Sequence, residues 1–313
     1  MKSTSILAAI CFTLCITVSF YGYAQEKIEI SSSRNEDNSI TYTYEKQTPG
    51  SHLIILDIQQ ITNAIPPREF ITVSGRSGNL FTLKPINEKT GINFRFSYSS
   101  IRGKYDPKPD FNFVYSLPFK KGKEIKVDEL SAIEERAGIG KPENWKAFMF
   151  TTSSRSDSVF VARKGLVVEV VEDKDRDYNL EYSFKQEANY VIIEHRDGTM
   201  ARYDVLEKNS VVPEVGQTVF PGDFLAMAGT YDKLENKQLR FWVYYLNELD
   251  RDVLRNPRRM SDGNVFYSHL NPLFLTSEGT KRLKKGDFAT AAIHEELITA
   301  EMSRREKKKR STD

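Results

Sequence analysis

Apolar and polar positions alternate with a period of two along most of the chain, the pattern of half-buried β-strands. Ile28 and Ile30 alternate with polar neighbours, as do Ile40, Tyr42 and Tyr44. Short apolar runs follow at Leu53–Ile58, Phe70–Val73, Leu80–Leu83, Phe94–Tyr98 and Phe111–Leu117. Turn signals separate them at Pro49-Gly50, Pro66-Pro67, Ser77-Gly78-Asn79 and Asp106-Pro107-Lys108-Pro109. Short strands at this spacing predict a β-sandwich-like domain over residues 25–120. A second series is predicted at Val159–Ala162, Leu166–Glu172, Asn179–Phe184, Tyr190–His195, Ala201–Leu206, Phe224–Ala228 and Leu239–Tyr245. Gly165, Gly198, Gly216, Gly222 and Gly229 fall at its junctions, where tight turns call for positive φ.

Between the two series, residues 121–145 are polar and of mixed charge and read as a connection. A short helix is expected at Glu129–Arg136, stopped by Gly138 and Gly140. Its Glu134-Glu135 pair reads as a solvated face rather than an acid/base pair. Residues 287–310 predict a terminal helix that becomes a basic tail.

Composition narrows the picture. With 313 residues and 39% apolar positions, the chain is long enough for about two packed domains and too apolar for wholesale disorder. Lys+Arg number 45 against 43 Asp+Glu, a net charge of +2 that argues against a nucleic-acid partner. Positive charge concentrates at the end. Residues 281–313 hold ten Lys/Arg and six Asp/Glu, net +4. A solvated, frayed terminus is the expectation there, and membrane contact is expected only through this tail.

Both cysteines, Cys11 and Cys15, lie in the apolar stretch Ile6–Phe20 that follows Met1-Lys2. Gly22 and Ala24 then supply small residues before Gln25, so residues 1–24 read as a secretory signal peptide. Fifteen helical residues span about 22 Å, short of the roughly 30 Å hydrocarbon core. Export to the periplasm or cell envelope is the implied address. Removal of the signal leaves no cysteine, so disulfide, thiol and Cys-metal chemistry are not expected. His52, before an apolar strand, reads as structural.

Several blocks carry a family resemblance. Val159-Phe160-Val161-Ala162-Arg163-Lys164-Gly165-Leu166-Val167 is similar to an entry hairpin of the form V-x-A-x-x-G-x-V. Asn189–Gly198 (NYVIIEHRDG) looks like a strand and turn N-x-V-x-I-x-H-x-D-G. Tyr203-Asp204-Val205-Leu206 sits at Y-x-H-L, Val215–Asp223 at V-G-x-x-V-x-x-G-[DQ], and Gln238-Leu239-Arg240-Phe241 at H-x-H-F. Together they resemble the lysostaphin-type zinc endopeptidases, which cleave murein. The resemblance covers about a third of the chain. It implies an all-β protein in which the sandwich is followed, over residues 146–250, by a duplicated-hybrid-motif β domain, with residues 251–313 a C-terminal extension bearing the helix.

The same alignment implies a degenerate centre. The H-x(3)-D ligand slots fall near Lys146 and Phe150, the H-x-H slots at Gln238 and Arg240, and the Y-x-H slot at Val205. None of these residues is a zinc ligand: lysine and arginine have no lone pair to offer at neutral pH, and phenylalanine presents only ring carbon. Without metal, water is not acidified for hydrolysis. The four histidines, His52, His195, His269 and His294, show no H-x-H or H-E-x-x-H spacing. His195, with Asp197 and Gly198, reads as a structural turn. His269 in Tyr267-Ser268-His269-Leu270 copies Y-x-H-L after the last family strand and reads as coincidence. Lys146 and Arg240 are expected to face each other across the vacated groove and either bind a carboxylate or snorkel to solvent. The implied protein needs no cofactor, is not an enzyme, and binds or regulates a cell-envelope protein or peptidoglycan. The alternatives are an active zinc endopeptidase with relocated ligands and a structural scaffold of an envelope assembly.

Overall fold

The computed structural model describes residues 28–130, 145–152, 156–175, 188–230, 237–247 and 267–311. The expected signal segment, the Glu134-Glu135 pair and the strand expected at Asn179–Phe184 lie outside them. The all-β expectation holds: the described residues form strands throughout, with two short helices at the C-terminal end.

The N-terminal part is a small sandwich. Strands β1 (Glu29–Arg34), β2 (Ile40–Glu45) and β5 (Ser77–Leu83) make one three-stranded sheet. The other has the order β4 (Phe70–Val73), β3 (His52–Thr62), β6 (Asn93–Arg102). Alternate residues of both sheets meet in one core, with Tyr42, Tyr44, Leu80 and Leu83 from the first against Ile54, Leu56 and Val73 from the second. Tyr42 fixes the packing through edge contacts to Phe94 at 5.7 Å and Phe96 at 5.5 Å. The turn expected at Ser77-Gly78-Asn79 is instead the start of β5. Gly78 pairs with Tyr44, and a Cβ there would lie 3.1 Å from the Tyr44 ring, so the glycine serves close ring packing.

A nine-stranded sheet dominates the rest. Its order is β14 (Thr218–Val219), β11 (Gly165–Val171), β12 (Asn189–Glu194), β13 (Met200–Leu206), β16 (Gln238–Leu246), β9 (Phe148–Thr151), β8 (Glu124–Glu129) and β20 (Phe288–Thr290), with β17 (Tyr267–Leu270) also on β16. A ribbon of β10 (Ser158–Phe160) and β15 (Phe224–Met227) lies beside it. So does a sheet of β19 (Gly279–Lys281), β18 (Leu273–Thr276) and β7 (Val114–Ser116), the last two parallel. All close on one aromatic-rich core that includes Tyr115, Phe148, Phe150, Phe241 and Phe274.

Residues 124–129, expected in a connection, are therefore a strand within the main sheet. Ile125 and Val127 are buried while Lys126 and Asp128 face out, an alternation diluted by the surrounding charge. Likewise Phe288–Thr290, read as the start of a helix, pairs with β8. The helical part is two pieces, α1 (Glu295–Thr299) and α2 (Arg304–Arg310). Where a frayed terminus was expected, residues 304–310 are helical, and a capping box of Ser303 and Glu306 opens α2. Gly198, Gly216 and Gly222 have the expected positive φ, whereas Gly165 does not. A Cβ on Gly165 would lie 2.4 Å from Ile193 Cγ2 and 2.5 Å from the Glu194 carbonyl, so crowding selects the glycine.

Candidate functional site

Strands β13 and β16 run antiparallel, with Asp204 opposite Arg240 and Arg202 opposite Trp242. The two-residue period splits each strand. Ala201, Tyr203, Leu239, Phe241 and Val243 enter the core. Arg202, Asp204, Gln238, Arg240 and Trp242 take the opposite face. Strand β9 extends that face, with Met149 opposite Arg240 and Thr151 opposite Gln238.

The centre of the face is cationic and aromatic. The Arg202 guanidinium stacks 3.6 Å over Tyr190 and lies 5.2 Å from the Trp242 ring. It donates to Asp204 Oδ1 at 3.1 Å. Stacking of this kind favours arginine over lysine, because the planar guanidinium matches a ring face and is weakly hydrated. Tyr190 donates to Glu169, which in turn pairs with Arg102 at 3.1 Å. Burial, then the Glu169 carboxylate, pushes the Tyr190 phenol up, so it stays protonated.

The Arg102 pair and the bond from Tyr267 Oη to the Arg102 carbonyl, at 2.8 Å, join the sandwich to one end of this sheet. Leu53, Ile55 and Ile101 of the sandwich pack there on Leu246. The sandwich thus covers the Tyr244–Leu246 end of β16.

The expected groove residues divide between the two faces. Gln238 and Arg240 share the polar face. Gln238 is 5% exposed and its Oε1 has no hydrogen-bond partner among the described residues. Phe150 is fully buried on the other side, stacked between Phe148 at 5.6 Å and Phe241 at 6.3 Å. Lys146 does not face Arg240. Its Nζ pairs with Glu129 at 2.6 Å and lies 5.2 Å over the Phe148 ring, on the side of the sheet that Phe148 occupies. A nearby carboxylate thus takes the charge expected to repel Arg240.

Val205 is the extra residue of a bulge. Asn189 pairs with Leu206 and Tyr190 with Asp204, which leaves Val205 unmatched. Its φ is +70°, in the left-handed region, which a β-branched residue occupies only at a cost of about 1–3 kcal/mol. Its carbonyl accepts from Gly229 N at 2.7 Å, and this bond helps hold the bulge.

His195, Asp197 and Gly198 form a tight turn. Gly198 N donates to the His195 carbonyl at 3.0 Å, and His195 N to the Thr199 carbonyl at 2.8 Å. Asp197 Oδ1 accepts from Thr199 N and Oγ1. Gly198 has φ +88°, and a Cβ there would meet Pro107 at 2.9 Å. The turn also anchors a charge network that sequence reasoning missed. Arg163, 2% exposed, donates from NH1 to Asp197 Oδ2 at 2.9 Å and to Tyr115 Oη at 3.0 Å. Its Nε and NH2 grip both oxygens of Glu301 at 3.0 and 2.8 Å. Burial raises the Asp197 carboxyl, but the Arg163 charge and the Thr199 donors outweigh it and hold the group below the usual carboxylate range. His195 Nδ1 lies 2.9 Å from the Lys164 carbonyl. Burial, with the Arg163 charge, pushes its ring down to about 3, so it is neutral near pH 7.

The Tyr-Ser-His-Leu segment read as coincidence lies on the polar face. Strand β17 pairs with β16 so that His269 is opposite Tyr244. The His269 ring is 4.5 Å from Trp145, which is itself 6.4 Å from Trp242. Burial pushes His269 down to about 4. The even-numbered positions of β13 and β16 carried the signal for this face, since they alone hold Arg, Asp, Gln and Trp between apolar neighbours.

No family model matches the chain, and no curated protein matches its sequence. Among solved structures, it is similar to the deep-sea metalloprotease pseudoalterin, at 14% identity over 58% of this chain and 96% of that one, with a TM-score of 0.32. It is also similar to a zinc-containing peptidase from Vibrio cholerae, at 15% identity over 69% and 74% of the two chains, TM-score 0.26. A chain of the SpoIIQ–SpoIIIAH pore-forming complex matches at 16% identity over 42% and 84%, TM-score 0.28.

Among the described residues, no three His, Cys, Asp or Glu side chains come together in a way that would hold a metal ion. No helix among them is long and apolar enough to cross a membrane. Chemically, the polar face offers guanidinium donors, stacked rings and neutral imidazole, which suit recognition of a carboxylate beside an apolar or planar group.

Proposed function

We propose that the chain is an exported, non-catalytic relative of the lysostaphin-type endopeptidases. It binds peptidoglycan, or a protein partner in the cell envelope, through the polar face of its main sheet. The observation that carries this reading is the position of Arg240 opposite Asp204 in the β13–β16 register, next to the Arg202 stack. In the resembled family the Arg240 slot belongs to a zinc-binding histidine. Here that slot and its neighbour hold a guanidinium and an amide, while the Phe150 slot is buried in the core. A carboxylate of a stem peptide or of a partner side chain is the group this face suits.

The test is co-sedimentation of the full chain with purified murein sacculi, comparing wild type with Arg240→Ala and Arg202→Ala. Loss of one charge-assisted contact of about 1.5–3 kcal/mol corresponds to weakening of about tenfold to a hundredfold. Equal sedimentation of all three proteins removes the polar face from the account.

A second reading makes the sandwich the working surface of a scaffold. Ile65 and Ile86 are 76% and 72% exposed, and Ile86 N donates to the Asn63 carbonyl at 3.0 Å, so both sit at one tip. Ile65→Asp with Ile86→Asp abolishes partner capture if the tip is the working surface and leaves it intact if the polar face is.

A further inference from the structure

The last eleven described residues sort their charges by direction. Glu301 and Glu306 turn inward. Arg163 holds Glu301 by two bonds, and Lys164 Nζ donates to Glu306 Oε2 at 2.8 Å and to the Glu301 carbonyl at 2.9 Å. Glu306 also accepts from Ser303 N at 2.6 Å, completing the capping box. These bonds fix α2 to the body of the protein. Helix α2 itself is RREKKKR, and none of its residues is buried.

With Glu306 as its inward point, the 100° step of the helix places Arg304 and Lys308 on the far side, Arg305 and Lys307 on the flanks and Lys309 about 60° from Glu306, and all five are exposed. Arg310 pairs with Glu295 at 3.0 Å. Arg304, Arg305, Lys307 and Lys309 make no ion pair among the described residues. The result is an exposed surface, tied to the body by the Arg163 and Lys164 bonds, that shows cations outward. None of the seven residues of α2 is apolar, so it has no apolar face to insert.

We propose that α2 is a docking surface for the anionic phospholipid of a bilayer. An exposed cation array without aromatic residues complements a flat layer of negative charge, whereas a nucleic acid or a single polymer chain calls for stacking rings along its path. The chain outside residues 281–313 carries a net charge of −2, so the body is turned away from the same surface by repulsion. Attachment is electrostatic, at about 1 kcal/mol per cation near the surface, or about fivefold in affinity each. It is independent of the polar-face reading, which concerns another part of the molecule.

The experiment is vesicle co-sedimentation of the full chain, with phosphatidylcholine vesicles against vesicles containing about 30% phosphatidylglycerol. Any contribution of the apolar Ile6–Phe20 stretch enters both arms, so the readout is the difference. The expected result is preference for the anionic vesicles that falls steeply as salt rises from about 0.05 M to about 0.5 M. The variant R304Q/R305Q/K307Q/K309Q keeps Glu306 and the cap. It is expected to lose affinity by roughly several hundredfold, while K307R/K309R retains it. Equal binding to the two vesicle types overturns the proposal. So does a quadruple variant that still prefers anionic vesicles, or a soluble polyphosphate chain bound at low salt as tightly as the anionic vesicles.

Discussion

Replacing Arg163 with methionine removes the charge that holds the Asp197 turn and the C-terminal segment on one anchor. Methionine keeps an unbranched apolar stem against Phe113, whose ring lies 3.8 Å from the guanidinium carbon. The loss is therefore electrostatic rather than a cavity. Asp197 retains its Thr199 and Asp110 donors, so it stays partly satisfied. Glu301 loses both guanidinium bonds while its side chain is only 16% exposed. Stranding one partner of a buried pair costs about 3–5 kcal/mol, and the freedom of Glu301 to swing outward favours the lower end. At about 2–4 °C per kcal/mol for a chain of this size, the melting temperature falls by about 6–12 °C. Scanning calorimetry of R163M, E301Q and the double variant measures it. The double variant is expected to be more stable than the sum of the singles implies by about 1–3 kcal/mol, the signature of a shared contact. An R163M melting point within about 2 °C of wild type, or strict additivity in the double, refutes the anchor.

Three further outcomes follow from the same contacts. His195 and His269 titrate at about 3 and about 4 in the folded state, below their ordinary 6.5. The unfolded chain therefore binds more protons as pH falls below 6.5, and stability declines toward pH 4 by about 1.4 kcal/mol per unit for each histidine. Urea midpoints between pH 7.5 and 5 follow this slope, and His195→Asn makes it shallower; a pH-independent midpoint contradicts the buried neutral rings. Gly165→Ala drives a methyl into Ile193 Cγ2 and the Glu194 carbonyl, for an expected loss of at least about 1–3 kcal/mol by denaturant unfolding, and a neutral result means β11 and β12 are not in that register. Phe150→Ala empties the centre of the main core and costs about 3–5 kcal/mol in the same assay. An unchanged midpoint there places Phe150 outside the core.

Strands were legible wherever apolar residues alternated with weakly charged neighbours. The sandwich strands from Ile30 to Arg102 follow the sequence pattern, with β2 alternating because one face is buried, and β3 reading as an apolar run because both faces are buried over His52–Leu56. Strand β8 was hidden because Lys126 and Asp128 stand between its two buried residues and make the segment read as a charged connection. The β20 strand was hidden because three residues are too few for any period to show. At the site, the two-residue spacing of Gln238 and Arg240 sets both on one face of β16, but it gave no way to see that Lys146 pairs with Glu129. That contact depends on β8 lying beside β9, and nothing local in the sequence specifies it. Arg163 was quoted within a family block, yet its partner Glu301 lies 138 residues away. Long-range charge partners of this kind leave no trace in periodicity.

On the proposed function, the zinc-site positions of the resembled family have been given over to binding. Metal content of the full chain, purified without chelator and equilibrated with zinc before exhaustive dialysis, tests it most directly. A guanidinium, an amide, a buried ring and a paired ammonium at those positions hold no tightly bound zinc, so the dialysed protein is expected to retain far less than one zinc per chain. One zinc per chain, lost with Gln238→Ala or Arg240→Ala, contradicts the claim.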